Sequence, residues 1–317
     1  MLYSKVNIVL EFLRNKPYIL LIIATLFWGG NFVVGRSLVQ TLPPFHLSTM
    51  RLGIGFILFL PFAWKEFKAS KDILMENWKP LVIFAITGIA GFNSLLYVAL
   101  QTTTSINASL VNATAPLLIV VLSAVFLKER LIKLQYLGVL ISFFGVLWVT
   151  SQGQLGALLN LKFNKGDLFV ILAVLMWAIY SMSMKRWGGP LPRKATFLTT
   201  LLLGLIVLMP FLYREMVTTS FDYSQISISM WMRILFIAIF PSLVSFVCWN
   251  EGVIAIGPSR ASNYLYLVVL FSGVFAVFIG EIYTLVQLIG GVLIISGVLI
   301  VSNPRLLKTR KSELKDN

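Results

Sequence analysis

The chain has 317 residues, of which 58% are hydrophobic and only 12% charged, and its mean hydropathy is +0.89. A soluble domain carries about 25% charged residues, so this composition excludes an ordinary soluble protein and marks a polytopic membrane protein. The net charge of +14 does not describe a nucleic-acid surface, because the basic residues sit in short connectors and at the two ends rather than in one stripe.

A hydrocarbon core needs about 20 apolar residues in a helix. Ten stretches satisfy this, at 18–39, 44–64, 79–101, 106–127, 132–151, 167–187, 194–213, 230–253, 258–279 and 284–302. The first is too long for a cleaved signal peptide, and no small-x-small cleavage site follows it. With the N-terminus taken as cytoplasmic, the connectors, adjoining span edges and tail on that side hold 19 Lys and Arg, whereas the other face has only Lys162, Lys165 and Arg214. The positive-inside rule therefore predicts that both termini are cytoplasmic, with the bacterial plasma (inner) membrane as the expected location. The connectors TLPP, TTTS and IGEIYT leave no room for soluble domains.

The chain also writes one pattern twice. ERLIKLQYLGVLISFFGVLWV at 129–149 is echoed by EIYTLVQLIGGVLIISGVLIV at 281–301, and Glu129/Glu281, Gln135/Gln287, Gly138/Gly290 and Gly145/Gly297 all stand 152 positions apart. TLFWGGNF in the first span answers VLMWAIYS in the sixth, with Trp28 and Trp177 offset by 149, and NASLV at 107–111 resembles RASNY at 260–264. Each half holds five spans, an odd number, so the second half enters the membrane from the opposite side. The expected fold is all-α, with ten transmembrane helices arranged as two inverted five-helix repeats. The segments are a cytoplasmic 1–17, a first repeat 18–151, an external linker 152–166, a second repeat 167–302 and a charged cytoplasmic tail 303–317. Inverted repeats allow one central site to open alternately to either side, which is the arrangement of secondary carriers.

A Trp in the first helix of each half, the NASLV and RAS starts, and E-R-L-x(6)-G-x(6)-G together resemble the EamA-type transporters of the drug/metabolite transporter superfamily, over about residues 18 to 302. Arg130 and Pro116 have no counterparts in the second half, so the resemblance does not imply strict symmetry. It implies a ten-helix carrier with a central cavity and a peripheral last helix in each half. It also implies a small polar or amphipathic cargo, notably an amino acid, moved outward in many members and inward or by exchange in others.

Polar side chains in hydrocarbon are costly and face a cavity or a partner helix. By residue type, the substrate-binding candidates are Trp28, Asn31, Asn93, Tyr97, Asn112, Trp177, Tyr180, Ser181, Trp249, Asn250, Asn263 and Tyr266. Amides and phenols bond a zwitterion's charged ends without fixed charge, and aromatic faces attract cations or stack. Each can equally act as interhelical glue. Gln101, Asn107, Ser109 and Thr114 extend the polar set, and Pro116 bends its helix. Glu251 is the acidic residue set within an apolar helix; it either pairs with Arg260 across a short connector or carries a coupling proton. Arg51, about two turns into the second span, either pins helix ends or holds a substrate carboxylate. Glu129 and Glu281 are read as structural acids at the starts of spans five and ten.

Other classes fit poorly. The sequence lacks G-x-x-x-x-G-K-[ST], so ATP is not the direct energy source, and it lacks H-E-x-x-H. One histidine, His46, and one cysteine, Cys248, offer no metal cluster or disulfide. No enzyme activity, cofactor or nucleic-acid partner is expected. The expected partners are a small-molecule substrate and the bilayer, with the chain as monomer or homodimer. A lipid-facing scaffold or flippase is the remaining alternative.

Overall fold

The computed structural model describes residues 16–99, 101–102, 111–129, 131–154, 156, 165–219, 221–278 and 284–302. Its helices are α1 (Pro17–Val39), α2 (Pro44–Ala69), α3 (Lys71–Glu76), α4 (Trp78–Ala99), α5 (Ala115–Phe126) and α6 (Lys133–Thr150). They continue as α7 (Lys165–Trp187), α8 (Arg193–Thr218), α9 (Ile228–Ile256), α10 (Pro258–Ala261), α11 (Leu267–Phe278) and α12 (Leu285–Ser302). Pro17, Pro44 and Pro258 open α1, α2 and α10, where a missing N–H has no intrahelical partner to lose.

Among the described residues, α1, α2, α4, α7, α8 and α9 are long and apolar enough to cross a membrane. The other four expected spans are helical where described, but shorter. The expected span 258–279 is not continuous: α10 gives way to a 3₁₀ turn over Ser262–Tyr266 before α11 begins. In the expected span 106–127, the described chain makes a turn at residues 113–114 and becomes α5 only at Ala115, one residue before Pro116. Asn107, Ser109, Glu281 and the tail lie outside the described residues.

Large apolar side chains such as Ile57, Phe211, Val292 and Leu299 stand on the outside of the bundle. Water would penalise such a surface and lipid does not. The inside is aromatic, with Trp177, Trp249, Tyr180 and Tyr266 buried.

Two antiparallel helix pairs organise the bundle. The first is α2 with α8. Glu66, near the end of α2, accepts the backbone N–H groups of Lys194 (2.9 Å) and Ala195 (3.1 Å) at the start of α8. Glu215, near the end of α8, accepts those of Phe45 (3.3 Å) and His46 (2.8 Å) at the start of α2. Each carboxylate thus satisfies orphan donors of the other helix. Glu66 and Glu215 stand 149 positions apart, the offset that relates Trp28 to Trp177.

The second pair is α6 with α12. A Cβ on Gly138 would meet the Gly297 carbonyl oxygen at 2.9 Å, and one on Gly145 would meet that of Gly290 at 2.9 Å. Ser142 donates to the Ile294 carbonyl at 3.2 Å and Gln135 Nε2 to that of Val301 at 3.0 Å. The glycines noted in the sequence therefore bring two backbones into contact. A Cβ on Gly297 would clash with the Gly138 carbonyl oxygen and with Ser142 Oγ. Gly297→Val should force the helices apart, at about 1–3 kcal/mol for overpacking. A lowered melting temperature of the purified protein in detergent would check this, with the exposed Val292→Ala expected to change little.

Candidate functional site

α4 and α9 each contain a turn that hydropathy does not reveal. Residues Ala85–Gly91 of α4 and Phe240–Val244 of α9 are wound as π-helix, a form that leaves backbone groups out of the regular ladder and recurs at functional sites. Both turns border the aromatic interior. The Tyr180 ring fills the space a Cβ at Gly88 would take, and Trp28 Nε1 donates to the Pro241 carbonyl oxygen at 3.1 Å.

Beside these turns lies a central cavity of about 50 Å³, lined by Trp28, Asn31, Phe92, Asn93, Leu96, Asn112, Ala115, Trp177, Phe246, Leu265 and Val268. The Trp28 and Trp177 rings meet edge to face with centroids 5.2 Å apart, a favourable quadrupole arrangement. Five predicted binding residues therefore share one cavity: Trp28, Asn31, Asn93, Asn112 and Trp177. At this volume it holds a few waters.

The other candidates are sorted by packing. Tyr97 stands behind Asn93 and bonds Arg51. Trp249 packs tilted against Trp28 and Trp177, with centroids 5.4 Å from each, and it does not line the cavity. Ser181, Asn263 and Tyr266 are buried away from the lining. The Asn263 amide atoms, the Tyr266 hydroxyl, the Ser181 hydroxyl, Asn31 Oδ1 and the Trp177 and Trp249 indole nitrogens have no hydrogen-bond partner among the described residues. A ligand or ordered water commonly explains a buried polar atom left without a partner, and two of these atoms belong to cavity-lining residues, Asn31 and Trp177.

A second cavity, of about 780 Å³, opens at the end of the bundle where α7 turns into α8. Phe59, Phe62, Phe197 and Val247 supply its apolar wall, and Glu66, Arg193, Lys194, Asn250 and Glu251 its polar one. Its size falls in the range of small-molecule sites. Trp177, Tyr180, Phe246 and Trp249 form a partition between the two cavities, with Trp177 and Tyr180 centroids 5.3 Å apart. The Tyr180 hydroxyl donates to Asn250 Oδ1 at 2.7 Å on the side of the second cavity, the vestibule.

Two expectations about charged residues need correction. Glu251 bonds Arg193 of α8, where the sequence pointed to Arg260. The turn from α9 into α10 at Gly257, whose φ is +86°, carries Arg260 into a separate short helix. Glu129 is structural, but it serves a different helix from the one expected. Its carboxylate accepts from Ser259 N (3.1 Å) and Ser259 Oγ (2.7 Å) at the start of α10, in the other half of the chain. A side chain at Gly257 would strike that carboxylate.

Arg51 is buried, and its bonds go to side chains rather than to helix-end carbonyls. Nε donates to Ser242 Oγ (2.9 Å), and Nη1 donates to Asn93 Oδ1 (3.1 Å) and the Tyr97 hydroxyl (2.8 Å). At the far end of the bundle, His46 Nδ1 lies 2.7 Å from Glu215 Oε2, and the carboxylate can only accept, so Nδ1 carries the proton. Phe221 and Tyr223 pack on the imidazole. Burial and then the Glu215 carboxylate push the Tyr223 phenol above its ordinary value. The described residues hold no cluster of His, Cys, Asp or Glu suited to a metal.

Comparison with known proteins decides the family. Residues 15–151 and 164–303 each match the EamA-like transporter family. The chain belongs to that family. Among its EamA relatives, the uncharacterized transporter YyaM of Bacillus subtilis (strain 168) is 30% identical over 281 residues, covering 88% of this chain and 90% of the relative. An uncharacterized transporter of Archaeoglobus fulgidus is 25% identical over 286 residues, covering 90% and 96%. A protein solved by crystallography shares the fold at a TM-score of 0.76 and 20% identity, over 94% of this chain and 99% of that one. Family membership and the apolar helices make this EamA protein an integral membrane protein, and these relatives carry the name of uncharacterized transporters.

Proposed function

We propose that this protein is a secondary carrier of a small polar or amphipathic metabolite, with amino-acid export by alternating access as the leading assignment. The central cavity carries the reading. It lies between helices of both halves, takes Trp28 and Trp177 from sequence-equivalent positions, and presents three amides within an aromatic wall. In this reading the chain forms ten membrane-crossing segments as two inverted five-helix repeats, 18–151 and 167–302, joined by the linker 152–166. Both termini face the cytoplasm across the bacterial inner membrane. The reciprocal Glu66 and Glu215 contacts and the paired glycine contacts of α6 and α12 support that symmetry. The vestibule then opens to the cytoplasm, and the Trp177–Tyr180–Phe246–Trp249 partition separates it from the site. Glu251 serves as half of an ion pair in the vestibule wall.

Metabolite profiling of spent medium tests this. Cells expressing the protein, cells expressing Asn112→Leu at equal membrane levels, and empty-vector cells are grown alike. A metabolite should be enriched outside wild-type cells alone. Enrichment that persists with Asn112→Leu would remove the cavity from the transport path. A metabolite depleted from the medium by wild type alone would reverse the direction to uptake.

A further inference from the structure

The central cavity has no charged residue in its lining, yet a full positive charge stands directly behind it. Arg51 is 1% exposed and has no carboxylate partner among the described residues. A buried charge left unpaired is strongly unfavourable, and an ionisable group within a membrane bundle points to function by default. The guanidinium bonds three neutral oxygens, those of Ser242, Asn93 and Tyr97, which stabilise it without neutralising it.

One of those three residues, Asn93, lines the cavity. Because Asn93 Oδ1 accepts from Arg51 Nη1 at 3.1 Å, the amide is held with its NH₂ as the group left to bond a ligand. Arg51 thus acts through Asn93 in two ways: it fixes a donor toward the cavity, and it adds an uncompensated positive field in a low-dielectric surrounding. Ser242, which holds Nε, lies in the π-wound turn of α9 and donates its own proton to the Ile237 carbonyl oxygen at 2.7 Å. The guanidinium is therefore anchored from a helix other than that of Asn93.

We infer that Arg51 is a positioning residue that makes the central cavity selective for anions, and that the transported molecule carries a carboxylate-sized anionic group bound at the Asn93 amide. This rests on the cavity being the substrate site, and it adds the charge of the cargo and the residue that sets it.

The test uses full-length protein purified in detergent, with quenching of its tryptophan fluorescence, since Trp28 and Trp177 line the cavity. The probes are benzoate, benzamide and benzylamine, one ring carrying a negative, neutral or positive substituent at neutral pH. Wild type should bind benzoate at least about tenfold more tightly than benzamide, the scale of one hydrogen bond to a charged group, and benzylamine most weakly. Arg51→Met should narrow the benzoate-to-benzamide ratio to within about twofold. Asn93→Asp offers a second route that keeps the fold, because the new carboxylate takes the same Arg51 bond and neutralises it; the benzoate preference should again vanish. Equal binding of benzoate and benzamide to wild type, or a preference that survives Asn93→Asp, would overturn anion selection while leaving the cavity as the site. Quenching by none of the three would overturn both.

Discussion

Trp177→Ala should destabilise the protein by about 3–5 kcal/mol, the cost of emptying a large aromatic site in a packed core, and should abolish transport. Trp177 is buried against Trp28, Phe92, Tyr180, Phe246 and Trp249, with centroids 5.1–5.7 Å away, and it belongs both to the cavity lining and to the partition behind it. Removing it joins the cavity to the vestibule and takes the edge-to-face partner from Trp28. Trp177→Phe separates packing from chemistry. It keeps an aromatic ring but removes Nε1, a buried donor with no partner among the described residues. Melting temperature should fall far less than for Ala, whereas cargo affinity should drop by about five- to tenfold if the indole N–H bonds the cargo. A Phe variant with full affinity would assign that nitrogen to water or to nothing, and Trp177 to packing alone.

Glu215→Leu should cost about 3 kcal/mol or more, because one carboxylate serves three donors: two backbone N–H groups at the start of α2 and the His46 imidazole. His46 is 2% exposed, so its ring would be left buried without its acceptor. Glu66→Leu frees only the N–H groups of Lys194 and Ala195 and should cost less. Thermal unfolding of the two variants in one detergent checks the ranking; equal losses would show that the imidazole bond contributes nothing net. In the alternating-access reading these two ends of the α2–α8 pair face opposite sides of the membrane, so Glu215→Leu should also bias the carrier toward the conformation in which that end is open.

Several features were readable from residues alone for a definite physical reason. Hydrocarbon demands long apolar helices, so α1, α2, α4, α7, α8 and α9 stand out by length and composition. The repeated glycines Gly138, Gly145, Gly290 and Gly297 are in themselves a signal of close packing, because only a missing Cβ lets backbones touch. Less regular features escaped. The π-wound turns of α4 and α9 and the break at Ser262–Tyr266 lie in stretches as apolar as their neighbours, so hydropathy carries no trace of them. Pro241 was the one available cue for the α9 turn.

Site residues divide along the same line. By residue type the sequence singled out Trp28, Asn31, Asn93, Asn112 and Trp177, which do share a cavity, together with Ser181, Trp249, Asn263 and Tyr266, which are buried elsewhere. In a soluble helix the polar face shows which way each side chain points. A membrane helix is apolar all round, that cue is erased, and rotation about the helix axis is settled only by packing against neighbours. The partners of charged residues are hidden for a related reason: Arg51 meets Ser242 and Glu129 meets Ser259 across 191 and 130 residues of chain. Membrane class, apolar spans and family were thus determined by the sequence itself, because the bilayer acts on composition locally. Which polar groups converge, and which charges pair, was decided only by the tertiary structure, because those contacts come from helix faces that the sequence leaves unmarked.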